Sequence, residues 1–557
     1  MTNREVAQVL LKIADLLEIK DDNPFKIRAY RNAANTIFRL EENINDLHRL
    51  DRIGNIPGVG KAVKAKIEEM LETGKCQFYQ RLLDEVPEGV LQMLSIPGVG
   101  HKTVRTIYDN LGIRSLKELE KAAKEHQIRE LPGLGRKTEH NIIKGLEMLA
   151  KSAGKATLGL SMPIAEELKD YLLSLDTVSH ASIVGSLRRG KPLVGDIDIL
   201  VASDDFPAVY NKISSYPGIV SIDRAQPDCI SGKLLYNIDF EVIVVGLDDY
   251  YPYLLWTTGS KAHRQEIFQN VDIKSLQGLL SEEQVYNQLG YPFIPAELRE
   301  NTGEIEAAKD DKLPILIECQ DLRGDLHIHS SWSDGAMKIE ELKAACLELG
   351  YEYIAVTDHS KSLPISGGLN EERLSAQAKV VDALNSESEE ITILKGIEAD
   401  ILKDGQIDFD DEVLNQLDIV VASIHSNFKL DKEKQTERII QAIKEKNINI
   451  IGHLTGRLLN RRKGYEIDIE PILEAAEKNR VALEINSHPD RLDIDAEIAR
   501  QAKEYGVKTA INSDAHHKAD LHLIRYGVTN ARRGWLEPED VINTWEKDRL
   551  LDYLRKK

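Results

Sequence analysis

The sequence predicts a multidomain chain of mixed α+β and α/β class, with a helical N-terminal region, a mixed middle region and a C-terminal barrel. At 557 residues the chain is too long for a single hydrophobic core. Its first 150 residues follow helical patterns that are interrupted by short Gly-rich turns. From Asp321 onward, apolar strand-like runs recur near residues 325, 354, 392, 419, 449, 481 and 508, with helical patterns between them. Seven such units predict a distorted parallel (β/α)7 barrel.

The composition is that of an ordinary globular protein, with 42% hydrophobic and 29% charged residues. No apolar run reaches the length of a membrane span, and the first residues form an amphipathic helical pattern without the features of a signal peptide. The cysteines are scattered, which is typical of reduced thiols: Cys76, Cys229, Cys319 and Cys346. We therefore expect a cytoplasmic protein with no membrane association.

The charge of the chain is unevenly distributed. The net charge is −20, but residues 1–155 carry 26 Lys and Arg against 22 Asp and Glu, a net charge of +4. The N-terminal part can therefore meet phosphate groups while the remaining residues repel them weakly. The alternative is that the acidity of the remainder only keeps the protein in solution.

A Pro-Gly turn motif occurs three times in the N-terminal region, at residues 56–60, 96–100 and 131–135. Glycines allow a sharp bend between two helices, and the free amides of the second helix can bind a phosphate. Basic residues follow each turn. The repeats predict helix-hairpin-helix binding to the DNA backbone through Gly58, Gly60, Gly98, Gly100, Gly133 and Gly135. A purely structural helical hairpin is the alternative.

A carboxylate motif follows in the middle region, where Gly185-Ser186 precedes the strand pattern that contains Asp196 and Asp198. Residues two apart in a strand share a face, so these two carboxylates point together and favour a divalent cation. With Asp239, which lies in a second strand pattern, they can hold two Mg²⁺ ions that activate a hydroxyl and bind a triphosphate. Gly185 and Ser186 would let the chain approach those phosphates. Solvated aspartates on an edge strand are the alternative.

Histidines and carboxylates cluster at the predicted strand ends of the C-terminal region, and the strand ends of such a barrel meet at one mouth. The mixture of imidazole and carboxylate suits three ions of Mn²⁺, Zn²⁺ or Fe²⁺, with a metal-activated water as the nucleophile toward a phosphodiester. We interpret His488, His517 and His522 as structural. The expected ligands are His327, His329, Asp334, His359, Glu398, His425, His453, Asp514 and His516.

The segments GSLRRGKPLVGDIDIL, NIDFEVIV and TTGSKAHR resemble the polymerase β-like family X DNA polymerases. The resemblance implies that Asp196, Asp198 and Asp239 are the catalytic metal ligands. It also implies nucleotide binding by Ser186, Arg189 and the Gly259-Ser260 turn. Lys66 matches the lyase lysine of that family, with a phosphate-binding lysine as the alternative.

Three positions depart from that family's usual pattern. Ala62 replaces a basic residue near Lys66, which bears on the lyase role. Near the incoming nucleotide, Trp256-Thr257 replaces an aromatic pair and Arg264 replaces a common Asn. The smaller Thr257 predicts a looser wall against the 2′-hydroxyl of the sugar, unless Trp256 supplies the missing bulk.

The C-terminal segments HIHSSWSDG, TDHS, SIH with IGH, and NSDAHH resemble the PHP (polymerase and histidinol phosphatase) superfamily. A family X polymerase followed by a PHP domain resembles the bacterial and archaeal PolX arrangement. This resemblance implies a gap-filling repair polymerase with a metal-dependent 3′→5′ exonuclease. It also makes abasic-site endonuclease or 3′-phosphatase activity an expectation for some members.

The resemblance also implies a division of the chain and a set of partners. We expect a DNA-binding domain at 1–82, a hairpin subdomain at 83–150 and a nucleotidyltransferase palm at 151–245. A thumb-like nucleotide-selecting subdomain with its linker would follow at 246–316, and the PHP domain at 321–557. We expect a monomer that is located at the nucleoid. Its expected partners are gapped or nicked duplex DNA and deoxynucleoside triphosphates. Two alternatives remain open, a small-molecule phosphoesterase and a DNA-end scaffold with an inactive polymerase.

Overall fold

The computed structural model describes residues 1, 3–38, 40, 42–96, 99–152, 155–269 and 271–555. The chain divides into two compact units, one formed by residues 1–153 and 460–462 and the other by residues 154–459 and 463–557. Within the described residues, no helix combines the length and the apolar character that crossing a membrane requires.

The first unit is helical, as predicted. Its first helix presents Val6, Leu10, Ile13 and Leu17 to the interior at helical spacing, and all four are fully buried. The helices are α1 (Asn3–Ile19), α2 (Pro24–Phe38), α3 (Ile44–Arg49), α4 (Lys61–Thr73), α5 (Gln77–Glu85), α6 (Glu88–Gln92), α7 (His101–Leu111), α8 (Leu116–Lys124) and α9 (Arg136–Ser152).

The second unit begins with a mixed sheet and its helices. The elements are β1 (Ala156–Thr157), α10 (Leu158–Leu173), β2 (His180–Ile183), α11 (Gly185–Arg188), β3 (Leu193–Val194), β4 (Asp196–Ala202), α12 (Phe206–Ser214), β5 (Ile219–Gln226), β6 (Cys229–Leu234) and β7 (Ile238–Val245). Five strands form one sheet in the order β2-β4-β7-β6-β5, in which β4 and β7 are parallel and the other pairs antiparallel. This sheet carries the predicted carboxylate pattern on its parallel pair of strands, β4 and β7.

Four helices follow the sheet and pack on a small core of their own. Leu255, Val285, Tyr286 and Ile294 are fully buried in that core. The helices are α13 (Tyr250–Thr258), α14 (Lys261–Ile267), α15 (Glu282–Gln288) and α16 (Glu304–Lys309).

The remainder is the predicted distorted (β/α)7 barrel. Its seven parallel strands run in sequence order, and a single bridge from Ile328 to Ala515 brings the first strand to the last. The strands are β8 (Gly324–Ile328), β9 (Tyr353–Val356), β10 (Thr392–Asp400), β11 (Ile419–Ser423), β12 (Ile450–Ile451), β13 (Ala482–Asn486) and β14 (Thr509–Asn512). The helices are α17 (Ile339–Glu348), α18 (Glu371–Glu387), α19 (Asp411–Leu414), α20 (Lys432–Lys444), α21 (Ile469–Asn479), α22 (Ala496–Glu504), α23 (Ile524–Arg533) and α24 (Lys547–Arg555).

Apolar side chains close one end of the barrel. Leu326, Ala355 and Val421 meet Trp545 and Leu550 from the C-terminal segment there. The other end of the barrel, where the strands finish, carries the polar residues described below.

Candidate active sites

The first candidate site lies at the start of two parallel strands of the mixed sheet. Asp196 and Asp198 alternate with buried Ile197 on β4, so both carboxylates lie on the same face. The register pairs Asp196 with Asp239 and Asp198 with Glu241 on β7. Four carboxylates therefore occupy adjacent positions on neighbouring strands, about 4.8 Å apart in the sheet.

The electrostatics of this site favour a bound cation. Burial, together with the neighbouring charges of Asp196 and Glu241, raises the pKa of Asp198 to about 7. Burial also raises the pKa of Asp196, with added repulsion from Glu241 and Asp239. Because the ionised forms are disfavoured in the absence of a cation, the donor set fits a divalent metal ion. Sequence reasoning missed Glu241, although its position two residues after Asp239 on one strand was the available signal.

Gly185 permits the chain to pass closely over this site. Its φ is +63°, and a Cβ at this position would overlap Oδ2 of Asp198 and lie 2.9 Å from Cγ. The backbone amide of Val184 donates to the carbonyl of Asp198 at 2.9 Å, which holds the two segments together. Only glycine satisfies both the left-handed backbone and the close approach. Ser186, half-buried, follows in the first turn of α11.

The other proposed nucleotide-binding residues already have partners within the protein. Arg189 is buried, and its Nη1 donates to the carbonyl of Thr258 at 2.7 Å while its Nε donates to Glu300 at 2.9 Å. Gly259 ends α13, and the Ser260 hydroxyl caps α14 by accepting from the His263 amide at 3.1 Å. These contacts fix the loop that connects the two helices.

The three aspartates are neighbours in the sheet but do not form a tight ligand group. Oδ1 of Asp239 lies 2.6 Å from Nζ of Lys233. Among the described residues, the groups of potential ligand atoms that lie within 4.8 Å of one another are all in the barrel. Lys233 therefore neutralises one of the carboxylates that the sequence assigns to the metal.

The Pro-Gly turns of the first unit precede helices, as their sequence predicts. Gly58 and Gly133 have φ values of +81° and +74°, and helices α4 and α9 begin within three residues of them. Gly60 and Gly100 cap α4 and α7, and the Gly135 carbonyl accepts from Glu139 in the first turn of α9. Gly98 lies outside the described residues.

The basic residues after these turns differ in their freedom to bind phosphate. Lys61, Lys102 and Arg136 are exposed. Lys64, in contrast, lies 2.7 Å from Asp51, and Arg105 pairs with Asp21. The exposed side chains are the ones that a phosphate backbone could contact first.

Lys66 is half-buried on α4. Its Nζ donates to the Ala62 carbonyl at 3.3 Å and lies 4.9 Å from the centroid of the Phe78 ring. The amine thus sits on an aromatic face close to the first Pro-Gly turn.

The second candidate site lies at the polar end of the barrel, where side chains from every strand meet. Three of the residues lie within strands, and the others follow the strand ends by one to four residues. They are His327 in β8 and His329 after it, His359 after β9, Glu398 in β10, His425 after β11, His453 after β12, Glu484 in β13, and Asp514 and His516 after β14. Asp334 joins them from the loop after β8. Parallel strands in a closed barrel bring their carboxyl ends together, which explains the convergence.

Eight of the nine predicted ligands form three overlapping groups whose ligand atoms lie within 4.8 Å of one another. The ninth, His453, places its Nε2 3.1 Å from Oε1 of Glu398. The groups are His329, Asp334, His359 and His516; His327, His329 and Asp514; and His359, Glu398 and His425.

The electrostatics of this cluster are strongly coupled. Burial opposes charge on His359, but Glu398 and Asp334 raise its pKa to about 10. His329 behaves oppositely, because burial and the neighbouring His516 lower its pKa to about 3. The carboxyl of Glu398 is buried, yet the surrounding His425 and His359 hold its pKa well below its usual range. The ionised Glu398 carboxylate is thus stabilised by the positive charge of its neighbours, and a bound cation would stabilise it in the same way.

Unpaired polar atoms support a metal at this site. Several buried ligand atoms lack a hydrogen bond within the described structure: Nδ1 of His329, His359 and His453, and Oε2 of Glu398. Nδ1 of His359 and Oε2 of Glu398 lie 2.7 Å apart without hydrogen-bond alignment. Buried polar atoms need partners, and a divalent cation would supply a shared one.

Two carboxylates outside the predicted set, Glu484 and Asp400, contact three of the predicted ligands. Oε1 of Glu484 lies 2.6 Å from Nδ1 of His327, and its Oε2 accepts from the His453 amide at 2.7 Å. Asp400 places Oδ1 3.0 Å from Nδ1 of His425. Such contacts set the ring orientation and tautomer of metal-binding histidines. Sequence reasoning missed both residues; a buried Glu within the apolar run of β13 was the signal for Glu484.

Two of the predicted ligands hold unusual backbone conformations. His453 and Asp514 have φ values of +27° and +53°. Positive φ is uncommon for residues other than glycine and is concentrated at functional sites. The positions of these two side chains therefore depend on the backbone just after the strands as well as on the strands themselves.

The three histidines interpreted as structural lie outside the close ligand groups of the described residues. His488 is partly buried, and burial lowers its pKa. His517 caps a short helical turn at Lys518–Leu523, and His522 is exposed within it.

Three family models match the chain. A helix-hairpin-helix domain matches residues 1–76, a SAM-like helix-hairpin-helix tandem matches residues 90–148, and a PHP domain matches residues 325–488. The fold and the barrel site therefore define a protein that joins helix-hairpin-helix modules to a PHP domain, with the carboxylate-bearing sheet between them in the order of the chain.

Curated relatives match the whole chain or the barrel alone. The DNA polymerase/3′-5′ exonuclease PolX of Bacillus subtilis is 38% identical over 98% of this chain and 97% of its own length. A probable phosphatase of Caldanaerobacter subterraneus is 34% identical over 42% of this chain and 91% of its own length. A probable phosphatase of Photobacterium profundum is 31% identical over 35% of this chain and 79% of its own length. The chain belongs to the PolX family, the family X DNA polymerases that carry a C-terminal PHP domain.

Proposed function

We propose that this chain is a DNA-directed DNA polymerase that fills short gaps in DNA repair and also removes nucleotides from 3′ ends with its PHP domain. The observation that carries the proposal is that one chain of the PolX family has neighbouring carboxylates on two strands of its sheet and three groups of potential metal ligands in its barrel. Abasic-site endonuclease or 3′-phosphatase activity is a further expectation for the barrel.

The sheet would carry nucleotide addition. Asp196, Asp198 and Asp239 would hold two Mg²⁺ ions, which supply positive charge to the triphosphate and lower the pKa of the primer hydroxyl. Asp239 would exchange Lys233 for the metal, because the lysine is half-exposed and can move away. The close passage of Gly185 over Asp198 and the adjacent Ser186 support phosphate binding at this edge.

The remaining nucleotide-binding residues stand beside that edge. Arg189 would contact the triphosphate, and the Gly259-Ser260 turn would border the nucleotide. The lowered pKa of Glu300, which is buried but faces Arg189 and Lys191, supports a positively charged surrounding at this position. In this proposal Arg189 shares its guanidinium between Glu300 and the incoming phosphates.

The barrel would carry phosphodiester hydrolysis. The nine ligands would hold three divalent ions of Mn²⁺, Zn²⁺ or Fe²⁺, whose chemistry is to activate a water and stabilise the charge on the phosphodiester. The three overlapping ligand groups and the unpaired buried atoms support this number of ions. Glu484 and Asp400 would keep His327 and His425 in the tautomer that binds metal.

The first unit would hold the DNA. The amides and exposed basic residues at the three hairpins, including Gly58, Gly60, Gly100, Gly133 and Gly135, suit contacts with the phosphate backbone. Lys66 would act as a Schiff-base nucleophile on a 5′-deoxyribose phosphate. We further propose the division into domains at 1–82, 83–150, 151–245, 246–316 and 321–557. The partners would be gapped or nicked duplex DNA and deoxynucleoside triphosphates, bound by a cytoplasmic, nucleoid-associated monomer.

A small-molecule phosphoesterase is the second candidate, because the probable phosphatases match the barrel region. The helix-hairpin-helix modules count against this candidate, since an enzyme that acts on a metabolite has no need to bind the DNA backbone. A DNA-end scaffold with an inactive polymerase is the third. The aspartates present at 196, 198 and 239 count against that reading.

One experiment separates the three candidates. A 5′-labelled primer in a gapped duplex is incubated with the full chain and Mg²⁺ or Mn²⁺, with and without deoxynucleoside triphosphates. The polymerase–exonuclease proposal predicts extension with nucleotides and shortening without them. Neither reaction, together with rapid hydrolysis of histidinol phosphate, would indicate the phosphoesterase. Binding to the gapped duplex without extension or shortening would indicate the scaffold.

A further inference from the structure

Helix α23 of the barrel packs directly against the loop that connects α11 to β3. Gly190 in this loop has a φ of +66°, and a Cβ there would overlap the methyl group of Thr529 on α23. At the end of the same helix, Nη1 of Arg533 donates to the carbonyl of Arg189 at 2.7 Å. The barrel therefore fixes the backbone of the loop that carries the proposed triphosphate-binding arginine.

A second contact links Arg533 to the side chain of Arg189. Oε1 of Glu300 accepts from Nε of Arg189 at 2.9 Å, lies 3.0 Å from Nζ of Lys191 and lies 3.4 Å from Nη1 of Arg533. Three cations therefore share one carboxylate, whose side chain is 15% exposed. The Arg533 side chain is slightly more buried, at 11% exposed. Charged groups this far from water interact strongly, so the removal of one changes the electrostatic interactions among the others.

We infer that Arg533, a residue of the PHP barrel, is a positioning residue for nucleotide binding at the polymerase site. It holds the Arg189 backbone and supplies part of the positive charge that Glu300 requires. With Arg533 beside Lys191, Arg189 can turn from Glu300 toward a triphosphate while the carboxylate keeps two cations near it. The nucleotide site is thus incomplete without the barrel. This inference rests on the proposed polymerase function.

The test compares two arginines of the same helix in the full chain. Arg533→Ala removes the contacts to Arg189 and Glu300, whereas Arg525→Ala removes a different contact with the palm, the pair between Arg525 and Glu166 at 3.2 Å. Steady-state insertion of one nucleotide into a gapped duplex gives KM and kcat, and shortening of the same primer gives the nuclease rate.

We expect Arg533→Ala to raise the KM for the nucleotide about tenfold, the effect of one hydrogen bond to a charged group. The kcat should change less than threefold, and the nuclease rate should match that of the parent. Arg533→Lys keeps the charge beside Glu300 and should return the KM to within threefold of the parent value. Arg525→Ala should leave the KM unchanged.

Arg533→Met keeps the test valid if the alanine variant does not fold, because methionine fills the space without donors. An unchanged KM in Arg533→Ala or Arg533→Met would overturn the inference. An equal rise in Arg525→Ala would do the same, because it would mark a general loss of the interface. Absence of nucleotide insertion in the parent protein would instead refute the proposed function.

Discussion

Replacement of Gly185 by alanine tests how the polymerase site is built. The residue has a φ of +63°, which costs a non-glycine residue about 1–2 kcal/mol. The added Cβ would also lie 2.9 Å from Cγ of Asp198, whereas carbon atoms in contact lie about 3.5–4.0 Å apart. The carboxylate must therefore move by roughly 1 Å, or the chain over it must rise by the same amount.

Such a displacement should affect nucleotide addition more than stability. A misplacement of about 1 Å in a reacting geometry costs about 100-fold in rate. We expect Gly185→Ala to lower single-nucleotide insertion on a gapped duplex about 100-fold and to destabilise the protein by about 1–2 kcal/mol. Shortening of the primer should continue at the parent rate, because the barrel supplies that activity.

The matched control is Gly246→Ala, just beyond the far end of β7. A Cβ at Gly246 would lie 3.5 Å from Oδ1 of Asp204, an ordinary contact, and its φ is −66°. This variant should insert nucleotides as the parent does. Retention of more than half of the parent insertion rate in Gly185→Ala would refute the claim that the close approach to Asp198 matters.

Three further predictions concern the metal, the lyase role and sugar selection. Chelation should abolish primer shortening and Mn²⁺ should restore it better than Mg²⁺, because imidazole-rich sites disfavour Mg²⁺; equal restoration in a nuclease assay would count against the site. Borohydride should trap the parent protein as a covalent adduct on a 5′-deoxyribose phosphate end. It should also trap Lys64→Ala, the control, but not Lys66→Ala. The absence of an adduct with the parent protein would exclude the lyase role. The Thr257 hydroxyl donates to the Tyr253 carbonyl at 2.6 Å, so this small side chain turns back onto its own helix. In single-turnover insertion, the parent should therefore prefer a deoxyribonucleotide to the matching ribonucleotide by only about 10–200-fold, and Thr257→Phe should increase this preference. A parent preference of several thousandfold that Thr257→Phe leaves unchanged would contradict the prediction of a loose sugar pocket.

The barrel and most of its site follow from local sequence patterns. Each predicted strand begins within a few residues of its observed start, because a short apolar run between two amphipathic helices has one stable placement in a parallel barrel. Ligands at strand ends then converge through the architecture alone. This is why the nine residues could be predicted to meet at one end of the barrel before the strands were known to be neighbours.

Residues whose role depends on a distant neighbour could not be assigned in this way. Glu484 lies inside a buried strand, and only its pairing partners show that it holds His327 and His453. Glu241 joins the aspartates through the register of β4 with β7. Arg533 meets Glu300 across more than two hundred residues of chain. Sequence periodicity identifies helices and strands, but it does not show which helix packs against which distant loop.

The most direct test of the central claim, that one chain holds two independent catalytic centres, is a paired assay of Asp198→Ala and His329→Ala on one gapped duplex. Insertion and shortening of the same labelled primer are measured in a single time course for each variant. Asp198→Ala should lose insertion and keep shortening, because it removes a ligand of the sheet site alone. His329→Ala should keep insertion and lose shortening, because His329 belongs to two of the three ligand groups in the barrel. Full shortening activity in His329→Ala, or loss of both activities in either folded variant, would contradict the account.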